Sequence, residues 1–416
     1  MTQTHPSGES WLARNSSTLI GLGIVAASAV LYWFAARGFD AGRGDFFYLA
    51  DAFLHGRTWL DFQPGPYDVI PIDGHFYVPF APFPAVVLMP VVAVLGAVTA
   101  DQVESGINAV LAASGVGLCW MLLGRIGVRG LVDRLVLAVL FGFSTQILWV
   151  TTRGGVWHTG HLIATILTFL CLIELYGRQR GWIIGLFAGA AFLTRAPLAF
   201  AIPFYALMLE PRPTLPSTEV VGGYIGSAVR STQMRQWLAL GLGVLPSIVL
   251  FFAYNQVRFG TPLESGYALA TLPEFLERQR ALGLFSLAHV PMNLDLFLLH
   301  LPSVIPAFPF FKPDGLGLSV LITSPGLLFA SRADWHRPRA WWLLGATIAV
   351  LIPTLLYYGG GWLQFGYRYF LDSVPFVIAL CGLAAVYRGG VGLGWRVLVA
   401  FGVVVGGYGV YWADKI

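Results

Sequence analysis

The strongest constraint on this chain is the recurrence of apolar runs about as long as a bilayer is thick. The first, Thr18 to Ala36, carries no charged residue, and a helix needs roughly 20 such residues to cross the hydrocarbon. Comparable runs follow at 104–124, 131–150, 157–176, 237–256, 340–358, 369–387 and 395–412. Charged residues are 11% of the sequence and hydrophobic ones 56%, whereas a soluble domain carries about 25% charge. An all-α polytopic membrane protein is therefore expected, folded as one domain over 1–416. The net charge of +4 gives no reason to expect nucleic-acid binding.

Other segments are ambiguous. The run 181–209 is too long for one span and is broken by "TRAPLAF", which predicts two short helices meeting at Arg195. A short span is expected at 316–330. Segments 80–98 and 293–311 are apolar but carry several prolines. The positive-inside rule arbitrates: more lysines and arginines face the cytoplasm if 80–98 is re-entrant or juxtamembrane than if it spans. That choice gives about eleven spans, with the N-terminus inside and the C-terminus outside. The first run is longer than the apolar core of a cleaved signal, so it is expected to remain as an anchor. Cys119, Cys171 and Cys381 all lie in apolar runs and are expected to be buried thiols rather than a disulfide framework or a metal cluster.

In this topology Asp45, Asp51, Asp61, Asp68, Asp73, His75, Arg153, His158, Arg195, Arg258 and Arg368 project toward the outer face. A transporter is expected to keep such groups near the midplane. The longest polar stretch is the first external loop, 37–103. Within it Asp45 precedes "FFYLADAFLHG", whose Phe46, Leu49, Ala50 and Phe53 repeat at helical spacing. The pattern predicts a short amphipathic helix on the bilayer surface, stopped by Gly56. The plain reading of Asp45 is then an N-cap, contributing about 1 kcal/mol; Asp51 and His55 form an i,i+4 surface pair. Further on, "DGHFY" predicts a tight turn that delivers Asp73, His75 and Tyr77. A second external loop, 257–292, contains "LPEFLERQR", expected to form a short amphipathic helix.

Two stretches here resemble membrane glycosyltransferases of the GT-C superfamily, the class of protein O-mannosyltransferases and the lipid A aminoarabinose transferase. One is "GDFFYLADAFLHGR" (44–57), with an acid soon after span one. The other is "DGHFYVPFAPFPAVVLMP" (73–90), leading into an apolar segment. The likeness continues through "NQVRFGTPLESGY" (255–267), "GLGLSVLITSPGLLF" (315–329) and "FGYRYFLDSVPFVIAL" (365–380). It spans nearly the whole chain and fits a mostly uncharacterised bacterial branch.

The resemblance implies a GT-C bundle in the bacterial cytoplasmic membrane. Such an enzyme takes a sugar from a polyprenyl-phosphate donor and passes it to a hydroxyl of a lipid, glycan or protein acceptor at the outer face. Asp45 matches the first-loop acid by position and takes the general-base role. A hydroxyl attacking the anomeric carbon must lose its proton, and a positioned carboxylate contributes 10²–10⁴-fold. The leaving lipid phosphate calls for fixed positive charge. Arg368 is the first choice, against plain snorkelling to headgroups; Arg195 divides between phosphate contact and a structural ion pair. Arg153 is a donor contact, while Arg258 either joins them or anchors its turn. Asp73 is a second acid toward acceptor or sugar, the alternative being a turn residue only. Relatives that place a lysine before the proline-rich element have no counterpart here, since Lys312 is the first lysine; His75 or an arginine would serve, with Tyr77 beside it. Gly44-Asp45-Phe46 lacks the adjacent acid of many relatives, and no cofactor is expected. His158 and His161 sit one turn apart, where two histidines can ligate a metal with Asp45 or Asp73 as a third group, though no signature supports that; packing or phosphate contact are the other roles for His158. Two other function classes compete: a transferase moving a phospho-alcohol or acyl group onto envelope lipids, and a polyprenyl-lipid flippase.

Overall fold

The computed structural model describes residues 11–36, 44–210, 224–413 and 415. The first ten residues, and 37–43 at the start of the first loop, lie outside the described residues. In chain order, α1 (Trp11–Ala35) is followed by α2 (Asp45–Leu54), the hairpin β1 (Ile70–Ile72) and β2 (His75–Tyr77), then α3 (Phe83–Leu95) and α4 (Ala97–Gln102). Helices α5 (Glu104–Ile126), α6 (Leu131–Phe143), α7 (Ile147–Arg153) and α8 (Val156–Leu175) form the centre. Next come α9 (Gly181–Phe192), a 3-10 turn Ala196–Ala201, α10 (Ile202–Met208) and α11 (Tyr224–Phe259). The segment after it holds α12 (Glu274–Arg280), α13 (Val290–Leu294) and the hairpin β3 (Ser303–Val304) and β4 (Phe311–Lys312). The chain closes with α14 (Val320–Thr323), a 3-10 stretch Pro325–Arg332, α15 (Pro338–Leu356), a 3-10 turn Arg368–Asp372, α16 (Val374–Arg388) and α17 (Leu393–Trp412).

Among the described residues six helices are long and apolar enough to cross a membrane, or seven if the α6–α7 pair, bent by 43°, is one span. The chain is thus a multi-pass integral membrane protein. The run 181–209 does divide into two pieces meeting at Arg195. Segment 293–311 is not one span: helical structure ends at Leu299 and a hairpin follows. The expected span at 316–330 is one short helix capped by Ser319 and then a 3-10 stretch opened by Pro325.

Small residues set the closest crossing. Gly181, Gly185 and Gly189 recur every fourth residue along α9 and face α11. A methyl on Gly185 would collide with the Leu240 carbonyl, and one on Gly243 with the Trp182 carbonyl. The backbones meet there because nothing bulkier fits, the usual device between helices that gain nothing from hydrophobicity in lipid.

The bundle has two distinct ends. At one, the last turns of α5, α8, α10 and α16 and the first turn of α15 surround a cavity of about 760 Å³ lined by Arg125, Tyr176, Glu210, Arg337, Arg339 and Tyr387. Nearby, Arg396 of α17 pairs with Asp133 of α6 at 3.0 Å. The other end gathers the starts of α5, α8 and α16, the ends of α11 and α15, and the whole 44–103 segment. There Arg258 Nη1 donates to the Val78 carbonyl at 2.9 Å, and Phe83 N donates to Leu193 O at 3.1 Å.

The first-loop helix needs a correction. Its apolar residues Phe46, Phe47, Leu49, Ala50 and Ala52 are buried in a cluster with Leu88 and Val92 of α3, Ala100 of α4 and Val156 of α8. The amphipathic pattern was expected to face lipid; it faces protein. Periodicity reports an apolar face but not what covers it.

Candidate functional site

The site builds outward from the first two turns of α8. Two glycines precede it, Gly154 (φ +63°) and Gly155 (φ +92°), in the left-handed region that side chains avoid. They end α7 and turn the chain sharply into α8. Arg153, just before them, donates to the Ala413 carbonyl beyond α17. His158 bonds back through Nδ1 to the Gly154 carbonyl and stands edge-on to Trp149 at 5.4 Å.

One flank of α8 is acidic. Thr159 Oγ1 lies 2.8 Å from Glu104 Oε1 and 3.0 Å from Asn108 Oδ1, all three residues buried. Asp45 is the first residue of α2, with Gly44 in the cap position and no side-chain cap bond. It is therefore not the N-cap, and it is only 1% exposed. A carboxylate in a first helical turn is favoured by the helix dipole, which helps an ion survive at such depth. Tyr48, one turn on, donates to Asp101 Oδ2 at 3.0 Å. Burial first, then that bond and the charges of Asp101 and Asp45, push the Tyr48 phenol up to about 12; burial likewise raises the Asp101 carboxyl. Asp45, Asp101 and Glu104 thus form one acidic neighbourhood.

The other flank is basic. His161 Nδ1 lies 2.9 Å from Asp372 Oδ1, and Arg195 Nε donates to Asp372 Oδ2 at 2.6 Å. Arg195 is held there by the extended backbone between α9 and the 3-10 turn. Arg368 does not snorkel: it is buried and donates through Nη1 to the Trp362 carbonyl at 2.6 Å. Tyr367 is buried as well and donates to the Thr354 carbonyl at 3.2 Å. The Tyr369 ring lies between the cations, 5.6 Å from the Arg195 guanidinium carbon and 5.4 Å from that of Arg368. Among the described residues the buried His158 Nε2, His161 Nε2 and Arg368 Nε have no hydrogen-bond partner. Three unsatisfied buried atoms on adjacent groups suit a polar ligand.

The remaining predicted residues are more peripheral. Asp73 occupies the exposed β1–β2 turn (φ +48°), and His75 stacks on Trp59 at 4.8 Å between ring centres. Tyr77 is buried, its ring 5.8 Å from Phe259. Arg258, between the Tyr254 and Phe259 rings, ties α11 to β2. Asp51 and His55 are an exposed pair, and all three cysteines are buried and unpaired. No three His, Cys, Asp or Glu side chains among the described residues converge as metal ligands do. Asp372 and Glu104 were not anticipated, although an aspartate inside the apolar run 369–387 is itself a signal.

No family model matches the chain, and no curated protein is similar to it by sequence. Solved structures to which the backbone is similar include the apo form of the Archaeoglobus fulgidus oligosaccharyltransferase, 14% identical with a TM-score of 0.46, covering 97% of this chain and 57% of that one. Another is the archaeal oligosaccharyltransferase AglB from Archaeoglobus fulgidus in complex with an inhibitory peptide and a dolichol-phosphate, 14% identical at TM-score 0.47, covering 97% and 56%. The chain spans a little over half the length of these proteins.

Proposed function

We propose that this protein is a glycosyltransferase that moves a sugar from a polyprenyl-phosphate carrier to an acceptor hydroxyl at the outer face of a bacterial cytoplasmic membrane. In this reading the chain crosses about eleven times, the short apolar helices included, and the end bearing Asp45 is the outer one. The observation that carries the proposal is the pairing of opposite chemistries on two flanks of one helix start. Glu104 touches Thr159 on one side of α8, with Asp45 and Asp101 close enough for their charges to act on it, and the guanidiniums of Arg195 and Arg368 flank Tyr369 on the other.

That division matches what the reaction requires. Asp45 accepts the proton of the attacking hydroxyl. The developing negative charge on the leaving lipid phosphate is met by Arg195 and Arg368 in a water-poor setting where charge-assisted bonds are strong. Because the leaving group departs as an anion, no protonating acid is needed behind it. His158 adds its unpartnered Nε2 at the same turn, and Arg153 sits at its edge. Arg258 with Tyr77 shapes the wall between α11 and the hairpin that bears Asp73 and His75, which face the acceptor. The gathering of these groups at one end favours a transferase over a flippase, which needs charges along its path.

The test is sugar release from a polyprenyl-phosphate donor in membranes containing the wild type or Asp45→Asn. A fall of about 10²–10⁴-fold is expected; an unchanged rate removes the assigned base.

A further inference from the structure

We propose that Asp372 is a positioning residue: its two carboxylate oxygens lock the His161 ring and the Arg195 guanidinium to each other, so that His161 Nε2 accepts a hydrogen bond from a donor-sugar hydroxyl beside the arginine-held phosphate. This rests on the glycosyl-transfer reading and deepens it by assigning a sugar contact.

The geometry is specific. A carboxylate only accepts hydrogen bonds, so the 2.9 Å contact places the His161 proton on Nδ1. In the neutral ring Nε2 then carries the lone pair. That nitrogen is fully buried and has no partner among the described residues. The second oxygen of Asp372 takes Arg195 through Nε at 2.6 Å, which leaves the terminal nitrogens of the guanidinium for a ligand. His161 and Asp372 are 211 residues apart and Arg195 and Asp372 are 177 apart, so this one carboxylate fixes three separate segments. The Tyr369 ring lies 6.2 Å from the His161 ring and within 5.6 Å of the Arg195 guanidinium carbon. An ion pair alone would need only Arg195 and Asp372. The oriented imidazole, presenting an unmet acceptor next to cations, is the added part.

Two isosteric changes separate positioning from mere support. In His161→Asn the amide takes the place of Nδ1 and keeps a donor to Asp372, but nothing occupies the Nε2 place. In His161→Gln the amide reaches the Nε2 place. Asp372→Asn keeps the shape but offers an amide donor to Nδ1, which moves the imidazole proton to Nε2 and turns the acceptor into a donor. Binding is measured on purified, folded protein with the methyl, mannosyl and glucosyl esters of farnesyl phosphate, all diesters of the same charge, the methyl ester serving as the sugar-free lipid. The wild type should bind at least one sugar ester about tenfold more tightly than the sugar-free lipid, the gain of roughly one good hydrogen bond. His161→Asn should lose that increment while keeping affinity for the methyl ester, and His161→Gln should retain part of it; Asp372→Asn should change the increment without abolishing it, since the sugar hydroxyl then has to accept rather than donate. An increment that survives in His161→Asn, or is missing from the wild type, overturns the proposal. Because the readout is binding, a wild type that binds a sugar ester better than the sugar-free lipid yet transfers no sugar would overturn the glycosyl-transfer reading alone.

Discussion

The two ends of the bundle handle charge in opposite ways. At the cavity end, ion pairs sit at the surface: Arg396 and Asp133 keep 42% and 17% of their side chains exposed. At the α8 end, Arg195 is 18% exposed and Asp372 and His161 are not exposed at all. Exposed pairs contribute at most about 1 kcal/mol, whereas a buried pair brings a desolvation cost that often cancels its attraction. The first end therefore carries its charge at modest energetic consequence. The second keeps charge where stability alone gives little reason to keep it, and that difference is the reason the proposed site is assigned there.

The contrast can be broken by experiment. Arg195→Ala leaves Asp372 buried with one oxygen uncompensated, and a loss of about 3–5 kcal/mol is expected, read as a large drop in detergent-solubilised melting temperature. Arg396→Ala at the other end should cost about 1 kcal/mol or less and leave sugar transfer unchanged; equal losses from the two variants would erase the distinction. The smallest effect concerns Asp101. Its folded carboxyl is raised by burial, so its contribution is favourable below the unfolded value and is lost as pH rises through the folded one. Melting temperatures of the wild type and Asp101→Asn, compared across that window, should show the wild type losing stability relative to the variant as pH increases. Parallel curves would place Asp101 in ordinary solvent.

Much of this was legible in the sequence. Apolar runs locate the long helices because lipid demands unbroken stretches, and the "TRAP" break puts Arg195 at a junction. "DGHFY" specifies its hairpin through Asp73 and Gly74, both at positive φ. Burial was less legible. Phe46, Leu49 and Ala50 have the spacing of any amphipathic helix, and only the presence of α3 decides that protein rather than lipid covers them. Asp372 stands out as a lone charge in an apolar run, but its partners His161 and Arg195 lie far away in sequence. Pairing across such distances has no local signature.

The same distances have a consequence for how the protein is made. His161 enters the membrane with α8, yet its partner is synthesised 211 residues later. At about 5–20 residues per second, that is an interval of roughly ten to forty seconds. Over that interval the imidazole, joined 34 residues later by the Arg195 guanidinium, awaits its carboxylate partner in a half-built bundle. Chains truncated before Asp372 should therefore be cleared by membrane proteases faster than chains ending after Arg388, as pulse-chase labelling would show. The 3-10 turn that carries Asp372 thus completes a polar cluster that α8 begins, and it does so near the end of synthesis.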